Sequence, residues 1–124
     1  MSASILLAED DEHIARLVAF KLGREGYRLE LARNGQEAVD KLDAQIWGLV
    51  ILDVMMPLLD GWSVLRLLRE RPALRDTPVL MLTAKNLSGD LADAAASGAT
   101  RILRKPFDPT ELTRVVSGMI RGGE

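Results

Sequence analysis

Five polar side chains with complementary chemistry each follow a short apolar run of the sequence. Three are carboxylates, which are the hard oxygen ligands that Mg²⁺ prefers, and a carboxylate can also attack a phosphorus atom. The other two are a hydroxyl and an ammonium group, which can contact the oxygens of a phosphoryl group. Brought together, these groups would suit a divalent cation and a phosphoryl group. The five residues are Glu9, Asp10, Asp53, Thr83 and Lys105.

The apolar runs before these residues predict strands that are buried on both faces, because consecutive apolar residues are followed by turn-forming ones. Longer stretches with helical periodicity separate the runs, and this alternation predicts a parallel sheet in an α/β fold. Ligands of open parallel sheets bind beyond the carboxyl ends of the strands. We therefore expect the five side chains to share one crevice. The four runs are 5–8, 49–52, 79–82 and 102–103.

The whole pattern predicts five strand–helix units, (βα)5, in a single domain over residues 1–124. The strand predicted over 27–32 alternates apolar with charged residues, which indicates a position at or near a sheet edge. The first helix is expected to pack on the core through an apolar stripe that includes Leu17 and Val18. The helix predicted over 89–97 carries one large apolar residue, so we expect it to be the mobile part of the domain. The other strands are predicted at 5–8, 49–53, 77–84 and 101–103.

Composition narrows the class of protein. The 124 residues are 48% hydrophobic and 27% charged, which is typical of a soluble globular domain. The net charge is −2 and no basic run occurs, so we expect no direct contact with nucleic acid. The absence of cysteine excludes disulfides and thiolate zinc sites. No apolar run approaches the roughly 20 residues of a membrane span and no signal sequence precedes the first strand, so we expect a cytoplasmic protein without a membrane partner.

Taken alone, each of these polar residues also has a purely structural interpretation. Acids at a strand-to-helix junction often serve only as helix caps, and Asp11 and Glu12 are better explained as partners of the helix dipole in the first turn. A threonine at the end of a strand is usually structural. Pro106 restricts Lys105 to an extended backbone and could hold a cis peptide bond. Because all the positions fall at strand ends of one alternating domain, we favour a shared site.

The chain resembles a response-regulator receiver domain over nearly its whole length. That resemblance implies a flavodoxin-like three-layer α/β sandwich, whose parallel sheet has the strand order 2-1-3-4-5; the order is carried over with the family and is not worked out from the residues. The residues that carry the resemblance are Leu7-Ala8-Glu9-Asp10-Asp11, Leu52-Asp53-Val54-Met55-Met56-Pro57 with Asp60-Gly61, Leu82-Thr83-Ala84, Gly98-Ala99 and Lys105-Pro106-Phe107.

The resemblance implies a function in two-component signalling. Asp53 would accept a phosphoryl group from a histidine kinase or a histidine phosphotransfer protein. Glu9, Asp10, Asp53 and the backbone carbonyl of Met55 would bind Mg²⁺, with Mn²⁺ as a possible substitute. The domain would then switch a surface that binds a downstream protein target. It would promote its own phosphorylation and also its own dephosphorylation, the latter slowly, without being an enzyme in the ordinary sense.

Further residues are assigned by the same resemblance to the phosphoryl pocket and the switch. Thr83 and Lys105 would contact the phosphoryl oxygens, next to Ala84 and Pro106. Ile102 departs from the family, which usually has tyrosine or phenylalanine at this position. In the family, movement of the threonine is coupled to the aromatic ring at this position, and we expect an aliphatic side chain to weaken that coupling. The change caused by phosphorylation would then reach the partner surface through the helix predicted over 89–97 or the loop before it.

Two more residues are expected to tune the lifetime of the phosphoryl group. Met55 and Lys85 occupy positions that flank the path of the hydrolytic water in the family. Neither is an acid or an amide that could position this water, and both are bulky. We therefore predict slow self-dephosphorylation.

Other functions compete with this one. A phosphorylation-independent interaction module on a receiver fold is the main alternative, and Ile102 mildly supports it. A metal-dependent phosphatase would need a proton-transferring acid at Met55, which cannot serve that role. A dinucleotide-binding domain would need a glycine-rich turn in place of 8–11. With no output domain among the 124 residues we expect a stand-alone receiver that acts through a protein partner, and a receiver taken from a larger protein remains the alternative.

Overall fold

Five parallel strands form a single sheet in the computed structural model, which describes residues 3–84 and 101–122. The order β2-β1-β3-β4-β5 confirms the order implied by the resemblance. The helix predicted over 89–97, Lys85 and the pair at 98–99 lie outside the described residues. The strands are β1 (Ser4–Ala8), β2 (Arg28–Ala32), β3 (Leu49–Asp53), β4 (Val79–Thr83) and β5 (Arg101–Arg104), and the helices are α1 (Glu12–Arg24), α2 (Gly35–Leu42), α3 (Gly61–Arg69) and α4 (Pro109–Gly122), with a short 3-10 helix at Pro72–Leu74.

The sheet is the middle of three layers, because successive side chains of a strand point to opposite faces. In β1, Ile5 and Leu7 pack on the face covered by α1 and α4, whereas Leu6 and Ala8 pack on the face covered by α2 and α3. All of β3 and β4 is buried, as expected for central strands covered by helices on both sides. The apolar runs of the sequence therefore form a core on each face of the sheet, and this core fixes the positions of the strand ends.

The edge position predicted for the second strand is confirmed, since β2 pairs only with β1. The apolar stripe predicted to face inward on α1 was partly wrong. Leu17 is 42% exposed, and Ala15 faces inward beside Val18 and Leu22. Residues 15, 18 and 22 recur at the helical period and face the sheet, whereas Leu17 falls at the margin of that stripe. Its hydrophobicity alone did not indicate its direction.

Three helix starts are fixed by side-chain caps that end the loops after β1, β2 and β3. Asp11 accepts hydrogen bonds from the backbone N–H groups of His13 (2.9 Å) and Ile14 (3.1 Å), which confirms its predicted role at the start of α1. Asn34 caps α2 and Asp60 caps α3 in the same way. These caps define where each loop at the carboxyl edge of the sheet ends.

Within the described ranges, no helix has both the length and the apolar character that a membrane crossing requires.

Candidate functional site

The strand ends bring the predicted residues together at one edge of the sheet. Asp53 is the last residue of β3, Thr83 ends β4, and Glu9 directly follows β1. The register pairs Asp53 with Leu82 and Thr83 with Arg104, so Lys105 follows β5 at the same level. A backbone hydrogen bond of 2.7 Å from the Lys105 N–H to the Thr83 carbonyl extends this pairing. The predicted residues therefore lie at one edge of the sheet, as the alternation of strands and helices led us to expect.

The Lys105 ammonium lies between two buried carboxylates. Its Nζ atom is 2.9 Å from Oε2 of Glu9 and 3.2 Å from Oδ1 of Asp53. Glu9 is only 3% exposed and Asp53 only 4%, so both charges are largely removed from water. The contact with Glu9 is an ion pair and not a well-aligned hydrogen bond. Without this ammonium, two buried negative charges would repel each other with little solvent to screen them.

Burial raises the pKa of the Glu9 carboxyl from its ordinary 4.5 to about 7; the ammonium of Lys105 opposes the rise, and the neighbouring Asp53 adds to it. For Lys105, burial lowers the pKa, but the negative groups of Glu9 and then Asp53 outweigh it, so the pKa of the ammonium is raised. Lys105 is therefore charged at neutral pH, and Glu9 changes its charge near neutrality.

Three carboxylates form a cluster that fits a divalent cation. Glu9, Asp10 and Asp53 each offer an oxygen atom, and these atoms lie within 4.8 Å of one another. Asp10 is exposed to solvent while the other two are buried, so a bound ion would keep access to water on one side. Oxygen ligands with part of the hydration shell retained are the arrangement that Mg²⁺ favours. The donor set therefore suits the metal that the sequence predicted.

The loop after β3 carries Met55, whose side chain is 68% exposed at the mouth of the site. Its backbone N–H is 3.4 Å from Oδ1 of Asp53, a long hydrogen bond. The loop is held at both ends by bonds of 2.9 Å, from the Val54 N–H to the Leu82 carbonyl and from the Gly61 N–H to the Val54 carbonyl. The Met55 carbonyl as a metal ligand stays a prediction.

The remaining pocket residues surround the ends of β4 and β5. Thr83 is buried and its hydroxyl lies 3.5 Å from the Ala84 carbonyl, while Ala84 itself is exposed. The Lys105–Pro106 peptide bond is cis, which was one of the possibilities raised from the sequence. Ile102 is half-buried and packs on the sheet face covered by α2 and α3, where its register partner is Met81. The phosphoryl-transfer roles of these residues stay predictions.

One feature of this edge gave no signal in the sequence. Leu58 has a φ of 70°, in the left-handed region, and its side chain is 78% exposed. The Leu59 N–H donates to the Pro57 carbonyl at 2.8 Å across it, which closes a γ-turn. A glycine or asparagine at position 58 would have indicated the turn, but a leucine does not.

The sequence matches the family model of the response regulator receiver domain over residues 5–117. It is 37% identical, over 100% of its length, to the alkaline phosphatase synthesis transcriptional regulatory protein PhoP of Bacillus subtilis, and 39% identical, over 94% of its length, to the transcriptional regulatory protein PcoR of Escherichia coli. The chain covers 51% of each of these relatives, so it spans about half their length.

Solved structures give the same result. The chemotaxis response regulator CheY4 of Vibrio cholerae is similar with a TM-score of 0.91 and 31% identity, over 96% of this chain and 99% of that one. The receiver domain of the sensor histidine kinase PA1611 of Pseudomonas aeruginosa is similar with a TM-score of 0.89 and 32% identity, over 98% and 99% of the two chains. That structure has a magnesium ion coordinated in its active-site cleft.

Proposed function

The chain belongs to the response regulator receiver domain family, and we propose that it accepts a phosphoryl group on Asp53 in a Mg²⁺-dependent reaction. Phosphorylation of an aspartate is typical of this family. The observation that carries the assignment to Asp53 is its position at the end of β3, buried and paired at 3.2 Å with Lys105, inside the carboxylate cluster. Among the carboxylates of that cluster, it is the one at the end of the central strand.

The proposed donor is a phosphohistidine of a histidine kinase or of a histidine phosphotransfer protein. An oxygen of the Asp53 carboxylate attacks phosphorus and forms an acyl phosphate. The bond between phosphorus and the imidazole nitrogen breaks, and the nitrogen keeps the electron pair. The side chain of Asp53 is held for this attack by the rigid strand and by Lys105.

Glu9, Asp10, Asp53 and the Met55 carbonyl are the proposed ligands of Mg²⁺, and Mn²⁺ is the proposed substitute. When bound, the cation supplies the positive charge that reduces repulsion between the carboxylates and the incoming phosphoryl oxygens. Glu9 and Asp10 contribute ligands from the start of one loop, so their backbone is fixed by the end of β1 and by the Asp11 cap of α1.

Lys105 and Thr83 are the proposed contacts of the phosphoryl oxygens. Lys105 can exchange its ion pair with the Asp53 carboxylate for one with a phosphoryl oxygen, because the new charge forms on the same side chain. The small side chain of Ala84 leaves room beside the Thr83 hydroxyl, and Pro106 fixes the backbone that follows the lysine. Ile102 and Lys85 are proposed to modify the switch and the phosphoryl lifetime.

The output is proposed to be a change of a protein-binding surface within a single domain over 1–124. The partners are a histidine-containing donor and a downstream protein target, with no direct contact to nucleic acid or membrane and with a cytoplasmic location. Because the chain spans about half the length of its relatives, their regulation of transcription is a property of those proteins and not of this domain by itself.

Intact-protein mass after incubation with Mg²⁺ and acetyl phosphate tests the proposal, with Asp53→Asn measured alongside. We expect a gain of one phosphoryl group in the parent alone, which is lost when a chelator removes the cation. If a control receiver is labelled under the same conditions and this chain is not, the phosphorylation-independent interaction module becomes the better description.

A further inference from the structure

The start of α2 makes an unusually close contact with the loop that follows Asp53. Gly35 is the first residue of α2 and is buried. A β-carbon at this position would overlap the Leu59 carbonyl oxygen and would lie 2.6 Å from both the carbonyl carbon and the β-carbon of Leu59. Contacts this short between backbone atoms cannot be relieved by turning a side chain. Only glycine fits here without moving either the loop or the helix.

From this contact we infer that Gly35 is a positioning residue for the phosphoryl-acceptor site, acting through the loop over 54–60. The inference rests on the proposed function, because that loop carries Met55, whose carbonyl is a proposed metal ligand. Gly35 lies on a different element from every proposed ligand. Its absent side chain lets the loop lie close enough to the sheet for the Met55 N–H to reach Oδ1 of Asp53 at 3.4 Å.

The loop has little freedom to absorb a displacement elsewhere. Its two ends are held by the backbone hydrogen bonds of Val54 and Gly61, and a β-carbon on Gly61 would itself overlap the Asp53 carbonyl oxygen. Between these ends, the γ-turn keeps Leu58 in the left-handed region. A shift imposed at Leu59 must therefore be taken up by the few residues that include Met55.

A displacement of α2 is less favourable than a displacement of the loop over 54–60. The side chains of Ala38 and Leu42 are fully buried in the core beneath α2, and Asn34 caps its first turn with a hydrogen bond of 2.8 Å to the Glu37 N–H. The loop has buried side chains at Val54 and Met56, but those of Met55 and Leu58 are exposed. A β-carbon at position 35 should therefore move the loop.

Gly35→Ala tests this inference when Mg²⁺ affinity and stability are measured separately. A Mg²⁺ titration followed by tryptophan fluorescence gives the affinity, since Trp62 directly follows Gly61 and Trp47 adds a background, and calorimetry gives an independent value. We expect the dissociation constant to rise at least about tenfold, the size of effect seen when residues that orient metal ligands are changed. Labelling by acetyl phosphate at subsaturating Mg²⁺ should fall in parallel.

Two other glycines provide matched controls. A β-carbon on Gly118, in the middle of α4, would meet nothing within 4 Å, so Gly118→Ala should leave Mg²⁺ affinity unchanged and raise stability. Gly48 lies just before β3, at the opposite end of the sheet from the site, and its β-carbon would lie 3.0 Å from Cβ of Ala3. Gly48→Ala therefore forces a small shift at the end of the sheet away from the site and should leave Mg²⁺ affinity unchanged.

The outcomes separate the two proposals. If the parent binds no Mg²⁺ and takes up no phosphoryl group, the proposed function fails. If the parent does both and Gly35→Ala loses stability but keeps the parent's Mg²⁺ affinity, the role of Gly35 is only structural and the inference is overturned. Should Gly35→Ala not fold, Leu59→Gly removes the Leu59 β-carbon from the same contact on the loop side; an unchanged Mg²⁺ affinity in that variant would equally overturn the inference.

Discussion

At the level of single residues, the ammonium of Lys105 holds the metal-free site together. It lies within 3.2 Å of two carboxylates that are almost completely buried, so it offsets charges that water cannot reach. One ammonium does not fully compensate for two carboxylates, and the raised pKa of Glu9 is the result. The carboxylate cluster is therefore a place where charge repulsion and burial oppose folding of the metal-free protein.

Glu9→Gln should remove much of the pH dependence of stability in the metal-free protein. Burial first, opposed by Lys105 and aided by Asp53, raises the pKa of Glu9 from 4.5 to about 7, so between these values the folded state binds more protons than the unfolded state. The stability that Glu9 contributes is full below pH 4.5 and is lost as the pH rises through about 7. In chelator, we expect the parent to lose roughly 1–3 kcal/mol of unfolding free energy over this interval, and the variant much less.

Urea unfolding at a series of pH values measures that difference. Glu25→Gln is a suitable control, because Glu25 is exposed at the end of α1, away from the site. An equal loss of stability with pH in the parent and in Glu9→Gln would contradict the prediction.

We also expect the lifetime of the proposed phosphoryl group to depend on individual side chains. Met55 lies exposed at the mouth of the site, where it can obstruct a water molecule but cannot accept its proton. We predict that Met55→Asn combined with Lys85→Glu speeds loss of the phosphoryl group by at least about tenfold. This increase is smaller than the rate enhancement that a fully effective general base provides. The rate is followed by intact-protein mass after the donor is removed. Met55→Leu with Lys85→Arg keeps the bulk and should decay at the parent's rate; equal decay in both double variants would refute the assignment.

At the level of elements, apolar runs and polar strand ends were sufficient to predict a parallel sheet and the edge at which the polar residues meet, whereas the strand order came from the resemblance to the family. A run such as 49–52, bounded by turn signals, is typical of a strand covered on both sides, and the residue that follows such a strand emerges at the carboxyl edge. Directions around a helix were less certain, as Leu17 demonstrates. The conformation of the loop after β3 could not be predicted, because Leu58 adopts a conformation that its residue type disfavours and the Gly35–Leu59 contact joins residues distant in sequence.

Leu58→Asn should stabilise the fold. A leucine at φ 70° places its β-carbon in a crowded position, and this costs about 1–2 kcal/mol, whereas asparagine tolerates the left-handed region. The side chain is 78% exposed, so little burial is lost, and we expect a net gain of about 0.5–1 kcal/mol in urea unfolding. Ile46→Asn makes a comparable change at a position that is 69% exposed and is not in the left-handed region. A gain of the same size in Ile46→Asn would show that the backbone conformation is not the cause.

At the level of the whole molecule, the site depends on the sheet being assembled. Glu9 and Asp10 follow β1 and Asp53 ends β3, so more than forty residues of chain separate carboxylates whose oxygens lie within 4.8 Å of one another. The β1–β3 pairing, from Ile5 with Leu49 to Ala8 with Leu52, is what brings them together. An unfolded chain would have to close that long loop for a single ion, which is unfavourable.

Mg²⁺ should therefore bind the folded protein almost exclusively and stabilise the entire domain. At a free concentration one hundred times the dissociation constant, mass action adds about 2.7 kcal/mol to the free energy of unfolding. The measurement is the urea midpoint with and without Mg²⁺ at constant ionic strength, and Na⁺ replaces Mg²⁺ to control for simple screening.

Asp10→Asn removes a proposed ligand that is exposed, so the variant should fold normally and yet lose most of the Mg²⁺-dependent shift at the same Mg²⁺ concentration. Asp40→Asn changes an exposed aspartate of α2 by the same chemistry and should keep the full shift. If the parent and Asp10→Asn shifted equally, the ion would be acting on the general charge of the protein, and the carboxylate cluster would not be its site.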